Sequence, residues 1–110
     1  MTKQLLQTDL LVIGGGASGL AAAIAAKRIC GDRFSVCIAE QNPRVGKKIL
    51  VTGNGRCNLT NRDQSLEHYR SSDPSFVARV LDQVGMYDTL RLFTEWGIFT
   101  RSRNGYLYPY

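Results

Sequence analysis

The sequence predicts an α/β fold that opens with a Rossmann-like βαβ unit on a parallel sheet, and three observations lead to this prediction. First, the apolar run Leu10–Ile13 leads directly into the turn Gly14–Gly19, which has the pattern Gly-x-Gly-x-x-Gly. Second, an alanine-rich segment follows the turn. Third, a second apolar run, Phe34–Ala39, ends at the acid Glu40. These features occur in the order of a βαβ unit, whose core we place at about residues 8–41.

The elements of this unit follow from local composition. Leu10–Ile13 shows no polar alternation, which predicts a strand buried on both faces. Because alanine has the highest helix propensity, we expect a helix from Ser18 to about Cys30, ended by the turn at Gly31. Phe34–Ala39 is then a second strand, parallel to the first through a right-handed crossover.

Each glycine of the turn has a separate predicted role. Gly14 permits the tight turn from strand to helix, Gly16 leaves room for a pyrophosphate against the backbone, and Gly19 lets the helix pack closely on the strand. The N–H groups and the positive dipole end of the helix would bind the pyrophosphate. Glu40 is placed to accept hydrogen bonds from both hydroxyls of an adenosine ribose. The fingerprint predicts dinucleotide binding, and a purely structural glycine turn is the alternative.

A polar, glycine-rich segment follows the βαβ unit, at about residues 43–61. Asn42-Pro43 breaks the second strand, and glycines follow at positions 46, 53 and 55. The segment contains too little apolar surface to form core. We therefore expect its backbone to follow a ligand or to form an ordered loop.

Two amphipathic helices are predicted at about residues 73–97, followed by a hairpin. Asp73 is a good N-cap, and the proline after it suits the first helical position. Apolar residues then recur at helical spacing, and Gly85 and Gly97 are the expected ends of the two helices. The Asn-Gly pair at 104–105 lies between apolar runs, which predicts a β-hairpin.

Length, charge and cysteine content narrow the function classes. A chain of 110 residues suffices for one small domain, but a complete dinucleotide-dependent enzyme needs more strands, so we expect a larger whole. The formal charge of +5 is spread along the chain, which disfavours nucleic acid as a partner. Three cysteines without a Cys-x-x-Cys pair suit reduced thiols. We expect no signal peptide and no membrane contact, and therefore a cytoplasmic protein.

The run Gly46–Asn61 carries a more specific signal than the fold does. Its Gly-Lys-Lys turn and its Thr-Gly-Asn-Gly-Arg-Cys-Asn-Leu-Thr-Asn sequence resemble a family of bacterial FAD-dependent flavoproteins, aminoacetone-oxidase-like or 3-dehydro-bile-acid-reductase-like. The resemblance also takes in the Gly14–Glu40 fingerprint and Gly105–Pro109, and so spans nearly the whole chain. Family members are several times longer. The resemblance thus implies that residues 1–110 are the N-terminal part of an FAD-binding Rossmann-like domain whose remainder is missing.

The resemblance implies FAD as the cofactor, NAD(P)H as a candidate reductant and a small organic molecule as the substrate. A flavin dinucleotide has a second phosphate, to which Lys47 and Lys48 can bring charge and residues 53–55 can present backbone N–H groups. Asn54 stands where many members have glycine, and asparagine tolerates the left-handed backbone. Arg56 would pair with the pyrophosphate or with a carboxylate of the fold. The predicted cofactor-binding residues are Gly14, Gly15, Gly16, Ala17, Ser18, Gly19, Glu40, Gln41, Lys47, Lys48, Thr52, Gly53, Asn54, Gly55 and Arg56.

Several positions keep a plain structural interpretation beside the functional one. The two lysines are otherwise a solvated basic turn, and Ser18 either donates to a phosphate or caps the helix. Cys57 is interpreted as a small residue packed in a tight turn rather than a thiol beside the flavin. His68 is interpreted as an exposed loop residue. No metal site and no catalytic acid or base is assigned.

These observations predict the FAD-binding portion of a flavin-dependent oxidoreductase that transfers a hydride or two electrons. A non-catalytic flavin-binding module and an FAD-dependent RNA-modifying protein stay open as alternatives. A plain NAD-dependent dehydrogenase is disfavoured because residues 46–61 would have no role in it. The oligomeric state is left open.

Overall fold

The computed structural model describes residues 2–110, which form two compact units: an N-terminal unit that ends at Val51 and a C-terminal unit that begins at Thr52. The N-terminal unit contains a βαβ motif made of β1 (Leu10–Ile13), α1 (Ala17–Cys30) and β2 (Val36–Ala39). The two strands pair in parallel, residue 10 opposite 36 and residue 13 opposite 39. The α/β class and the parallel sheet are therefore confirmed.

Helix α1 begins and ends at glycines. Gly16 is the N-cap and provides no side-chain cap, so the helix starts at Ala17, one residue earlier than predicted. Ser18 consequently lies within the first turn, and the interpretation of Ser18 as the cap is wrong. At the other end Gly31 has φ +81° and donates its N–H to the carbonyl oxygen of Lys27 at 3.0 Å. That left-handed glycine ends the helix as the sequence predicts.

Strand β1 is less buried than its apolar composition predicts. Leu11 and Ile13 are 53% and 78% exposed, whereas Leu10 and Val12 are half-buried. Helix α1 packs on both strands of this sheet, and the alternation shows that it covers one face. Nothing among the described residues covers the second face of β1, and burial of that face stays a prediction for the larger whole.

The amino ends of the two strands are tied together by polar contacts. The carboxylate of Asp9 accepts hydrogen bonds from the N–H of Ser35 at 2.8 Å and from its hydroxyl at 3.0 Å. These hydrogen bonds hold the pKa of Asp9 below its ordinary value. Strand β2 begins at Val36, later than the Phe34 that the apolar run predicts, because Ser35 uses its N–H outside the ladder.

The C-terminal unit contains a small antiparallel sheet and two helices. The elements are β3 (Thr60–Asn61), α2 (Pro74–Gln83), α3 (Met86–Glu95), β4 (Thr100–Arg103) and β5 (Tyr106–Pro109). The sheet has the strand order β3–β5–β4, and a short 3-10 helix, Leu66–His68, precedes the two α-helices.

The helices begin as the sequence predicts, but one of their ends differs. The carboxylate of Asp73 caps α2 by accepting from the N–H of Phe76 at 3.2 Å. Gly85 has φ −87° and is the N-cap of α3, whereas α2 already ends at Gln83 with Val84 as its C-cap; the expectation that Gly85 ends α2 is wrong. The Asp88 carboxylate accepts from the N–H of Gly85 at 3.1 Å, which caps the start of α3 at Met86. Among residues 2–110, no helix has both the length and the apolar character needed to cross a bilayer.

The predicted hairpin is confirmed, and it gains a third strand that the sequence did not reveal. Asn104 and Gly105 have φ +52° and +83° and connect β4 to β5, which matches the positive φ angles of a two-residue hairpin turn. The two-residue strand β3 pairs with β5. Leu107, at the centre of this sheet, is 3% exposed and is the most buried hydrophobic side chain among residues 2–110.

Candidate dinucleotide-binding site

The turn between β1 and α1 requires glycine at three positions for reasons internal to the protein. Gly14 has φ +96°, which L side chains rarely adopt. Gly15 is buried, and a Cβ there would lie 2.6 Å from Cγ1 of Val45. A Cβ at Gly19 would overlap the carbonyl oxygen of Gly14, so its absence lets α1 pack closely on the strand.

Gly16 has no such requirement. Its φ is −80°, and a Cβ there would meet no atom within 4 Å among the described residues. The first hydrogen bond of α1 runs from Leu20 N–H to the Gly16 carbonyl at 2.9 Å, so the N–H groups of residues 17–19 precede the helical ladder. The first turn carries no acidic side chain to neutralise the helix dipole. Open space beside these donors fits the phosphate group that the sequence predicts here.

Glu40 lies directly after β2 and holds the glycine turn. Its Oε1 accepts from the N–H of Gly15 at 3.0 Å, and its Oε2 accepts from the backbone N–H of Asn42 at 2.7 Å and from the side-chain amide at 3.0 Å. The N–H groups of Asn42 and Gly15 hold the pKa of Glu40 below its ordinary value. The carboxylate is therefore ionised at neutral pH, as a ribose acceptor must be. The roles of Gly15 and Asn42 were missed, because no local pattern in the sequence links them to Glu40.

Gln41, Lys47 and Lys48 are exposed. The N–H of Gln41 contributes to the lowered pKa of Glu40. The N–H of Gly46 donates to the carbonyl oxygen of Gly15 at 2.7 Å, which places the start of the predicted loop against the glycine turn. The two lysines follow this contact directly, so they can add positive charge near the turn. A solvated basic turn stays open as their alternative.

The other predicted residues, Thr52–Arg56, belong to the C-terminal unit. Residues 53–55 have φ values of +57°, +55° and +82°. The 3-10 segment Ile49–Gly55 is interrupted at residues 52–54, whose backbone is not helical. Asn54 thus adopts the left-handed backbone that the sequence predicts for it. A Cβ at Gly53 would lie 2.9 Å from the backbone nitrogen of Asn58, so the fold itself requires glycine at that position.

Arg56 and Cys57 close this loop. Arg56 is exposed and lines a cavity together with Arg101 and Arg103. No carboxylate among residues 2–110 lies within 4.0 Å of its guanidinium, so the structural ion pair considered for Arg56 does not form there. Cys57 is a half-buried free thiol with φ +58°, and its N–H donates to the carbonyl of Thr52 at 3.0 Å. This environment fits a small residue packed in a tight turn.

Three exposed side chains form a cluster that the sequence did not reveal. One carboxylate oxygen of Asp63, one of Glu67 and one imidazole nitrogen of His68 lie within 4.8 Å of one another. The Nε2 of His68 is 2.7 Å from the Oδ2 of Asp63, and this hydrogen bond raises the pKa of His68 above its ordinary value of 6.5. Hydrogen bonds from Ser65 and then His68 lower the pKa of Asp63. His68 is exposed, as expected, but it is paired.

The N-terminal unit thus brings together the glycine turn, the open start of α1, Glu40 and the segment with the two lysines, while Thr52–Arg56 form a loop of the C-terminal unit. A βαβ motif with these features defines the class of dinucleotide-binding Rossmann domains. More specifically, the chain belongs to the family of HI0933-like Rossmann domains, an FAD-binding family that matches residues 8–110.

Relatives of known activity carry two different names. The chain is 55% identical over 98 residues to the 3-dehydro-bile acid delta(4,6)-reductase of Clostridium scindens, covering 89% of the chain and 24% of that protein. It is 35% identical over 91 residues to the ribosomal RNA dihydrouridine synthase of Haemophilus influenzae, covering 83% of the chain and 22% of that protein. It is 33% identical over 90 residues to the ribosomal RNA dihydrouridine synthase of Escherichia coli, covering 82% of the chain and 22% of that protein. The chain therefore spans about a quarter of the length of these relatives.

Replacing Glu40 by Ala should weaken FAD binding by roughly ten- to a hundredfold, as expected for the loss of charge-assisted hydrogen bonds. The variant loses both the predicted ribose acceptor and the carboxylate that holds Gly15. Titration of the full-length protein and its Glu40→Ala variant with FAD measures the loss of affinity. Faster amide hydrogen exchange at Gly15 measures the loss of the carboxylate that holds this residue.

Asp9→Ala is the matched control for this experiment. Asp9 is also a carboxylate with a lowered pKa that accepts a backbone N–H, but it lies at the amino ends of the strands, opposite to Glu40. Its FAD affinity should equal that of the unchanged protein. Equal FAD affinity in Glu40→Ala and Asp9→Ala would contradict the assignment of Glu40.

The pairing of His68 with Asp63 should be visible in its titration. The folded pKa of His68 lies above its ordinary 6.5 and that of Asp63 lies below its ordinary 3.8, so the pair stabilises the fold fully between about pH 3.8 and pH 6.5. The contribution is lost as the pH rises through the folded pKa of His68, and it is lost again as the pH falls through the folded pKa of Asp63. NMR titration of the imidazole should show the raised pKa, and Asp63→Asn should return it towards 6.5. An imidazole that titrates identically in both proteins would show that the hydrogen bond does not form.

Proposed function

We propose that this chain is the FAD-binding portion of a flavin-dependent oxidoreductase that transfers a hydride or two electrons to or from a small organic substrate. The observation that carries the proposal is the open start of α1. Gly16 leaves space that no described residue fills, and the N–H groups of residues 17–19 precede the first backbone hydrogen bond of the helix. The carboxylate of Glu40 is held beside the turn by the N–H of Gly15. This is the combination that a dinucleotide needs.

The residues of the chain have distinct parts in this proposal. The N–H groups at the start of α1 bind the pyrophosphate, and Glu40 accepts hydrogen bonds from the adenosine ribose. Lys47 and Lys48 add positive charge beside the turn, and residues Thr52–Arg56 contact the flavin side of the cofactor. FAD, when bound, supplies the redox chemistry, and NAD(P)H is the proposed reductant. The protein supplies position and electrostatics.

The relatives support an enzyme rather than a passive flavin carrier. The most similar of the three, at 55% identity, is named a reductase, so we propose reduction of an organic substrate by the reduced cofactor. We place this activity in the cytoplasm, because Cys30, Cys37 and Cys57 are all free thiols.

A second candidate function is modification of RNA. It is favoured by the two relatives named ribosomal RNA dihydrouridine synthases, at 35% and 33% identity. The lower identity makes it the second choice. Both candidate functions require bound FAD and differ only in the substrate, so a measurement of bound flavin tests the requirement that they share.

Purified full-length protein should carry the visible absorption spectrum of oxidised flavin, and heating should release FAD. The matched variant is Gly16→Val, whose Cβ would meet no atom within 4 Å among the described residues and whose side chain would occupy the space assigned to the phosphate. It should keep the circular dichroism of the unchanged protein and lose FAD. Colourless protein that takes up NAD but not added FAD would contradict the proposal.

A further inference from the structure

One face of the β4–β5 hairpin carries arginine and tyrosine side chains. The register places Arg101 opposite Tyr108 and Arg103 opposite Tyr106. The alternate pair, Ser102 and Leu107, belongs to the other face, where Leu107 is buried. Since side chains alternate between the faces of a strand, the two guanidiniums and the two phenols lie on the same side of the hairpin.

A cavity of about 460 Å³ is lined by Arg101, Arg103 and Tyr108 of this face together with Ser102 and Pro109 of the same strands, and Arg56 of the glycine-rich loop contributes a third guanidinium. The loop is fixed to the hairpin, because a Cβ at Gly53 would lie 3.2 Å from the ring of Tyr108 and because Leu59 donates its N–H to the carbonyl of Leu107 at 2.8 Å. We name this cavity the arginine pocket.

In the arginine pocket, the guanidinium of Arg101 lies over the ring of Tyr110, 5.9 Å from the ring centroid, and none of the three guanidiniums forms an ion pair within residues 2–110. No carboxylate of that range lies within 4.0 Å of them, whereas Arg79 and Arg91 of the same unit each pair with an aspartate. Guanidinium groups stay protonated at every physiological pH and repel one another. Three of them around one cavity therefore favour an oxyanion, which they bind with charge-assisted hydrogen bonds.

An apolar surface adjoins the arginine pocket. A second cavity of about 620 Å³ shares Pro109 with it and is otherwise lined by Gly97, Ile98, Phe99 and Tyr110. Phe99 is 63% exposed, and its carbonyl accepts the N–H of Tyr110 at 2.7 Å. Charge and apolar surface thus lie side by side, an arrangement that suits a small anion with an apolar body better than the uniformly charged backbone of a nucleic acid.

We propose that the arginine pocket binds the carboxylate or phosphate group of a small organic anion whose apolar part lies on Phe99 and Tyr110. The further claim that this anion is the substrate rests on the proposed function, whereas the claim that the pocket binds an anion is independent of it. The anion is therefore expected to bind with or without FAD. Arg101 and Arg103, which the sequence did not suggest as functional, would then determine substrate specificity.

The test uses three ligands of one shape. Calorimetry on the full-length protein, with FAD and after its removal, compares 2-naphthoate, 2-naphthyl phosphate and the uncharged 2-naphthamide. The two anions distinguish a carboxylate from a phosphate site, and at least one of them should bind at least tenfold more tightly than the amide. A protein that holds no FAD but binds the anion would contradict the proposed function and leave the pocket standing.

Arg101→Gln/Arg103→Gln should weaken the anion at least tenfold and leave FAD affinity unchanged. Arg79→Gln/Arg91→Gln is the matched control, because it removes two positive charges from the same unit outside the pocket. The single variant Arg103→Gln serves if the double variant does not fold. The proposal would be overturned if neither naphthyl anion bound, or if the two double variants weakened anion binding equally. It would also be overturned if Arg101→Gln/Arg103→Gln left anion binding unaffected but weakened the binding of FAD or of a short single-stranded RNA.

Discussion

The hydrogen bond from the N–H of Gly15 to Oε1 of Glu40, 3.0 Å long, connects the two halves of the βαβ motif at the end where a ligand would bind. Glu40 follows β2 and Gly15 follows β1, so the bond fixes the glycine turn to the neighbouring strand. Asn42 holds the other carboxylate oxygen, which leaves Glu40 little freedom to rotate. The position of the turn, and with it the direction of the first N–H groups of α1, depends on this ionised carboxylate.

This arrangement separates the glycines that the fold needs from the one that a ligand needs. Backbone conformation requires Gly14, and close packing requires Gly15 and Gly19. Gly16 satisfies neither condition, because its φ is −80° and its missing side chain faces open space. Because nothing within the described protein requires glycine at this position, we infer that a bound ligand requires it. A pyrophosphate at the helix N-terminus fits best, since the N–H groups around Gly16 can donate hydrogen bonds to it.

The sequence predicted the βαβ motif, the parallel sheet, the N-cap at Asp73 and the hairpin at Asn104-Gly105 because each depends on local backbone preferences. It failed where particular contacts, rather than local backbone preferences, decide the structure. The two-residue strand β3 exists only because β5 pairs with it, and no periodicity can show in two residues. Gly85 starts α3 because Asp88 accepts its N–H, which overrides the usual place of glycine at a helix end. Strand β1 is half exposed because no described residue covers its second face.

For the candidate site, the residue types could be predicted, but several of their contacts could not. The fingerprint indicated Gly14–Gly19 and Glu40, yet the bonds of Glu40 to Gly15 and Asn42 depend on how two strands end side by side. Likewise, Arg56 was singled out from its motif alone. That Arg101 and Arg103 share its cavity depends on how the glycine-rich loop packs against the hairpin, a contact that local sequence does not indicate.

The central claim is that the start of α1 binds the pyrophosphate of FAD. A crystal structure of the full-length protein with FAD tests it most directly. We expect pyrophosphate oxygens within hydrogen-bond distance, about 3 Å, of the N–H groups of Ala17 and Ser18, and the hydroxyls of the adenosine ribose on the carboxylate of Glu40. A structure in which FAD is bound elsewhere, with Gly16 facing solvent, would contradict the claim.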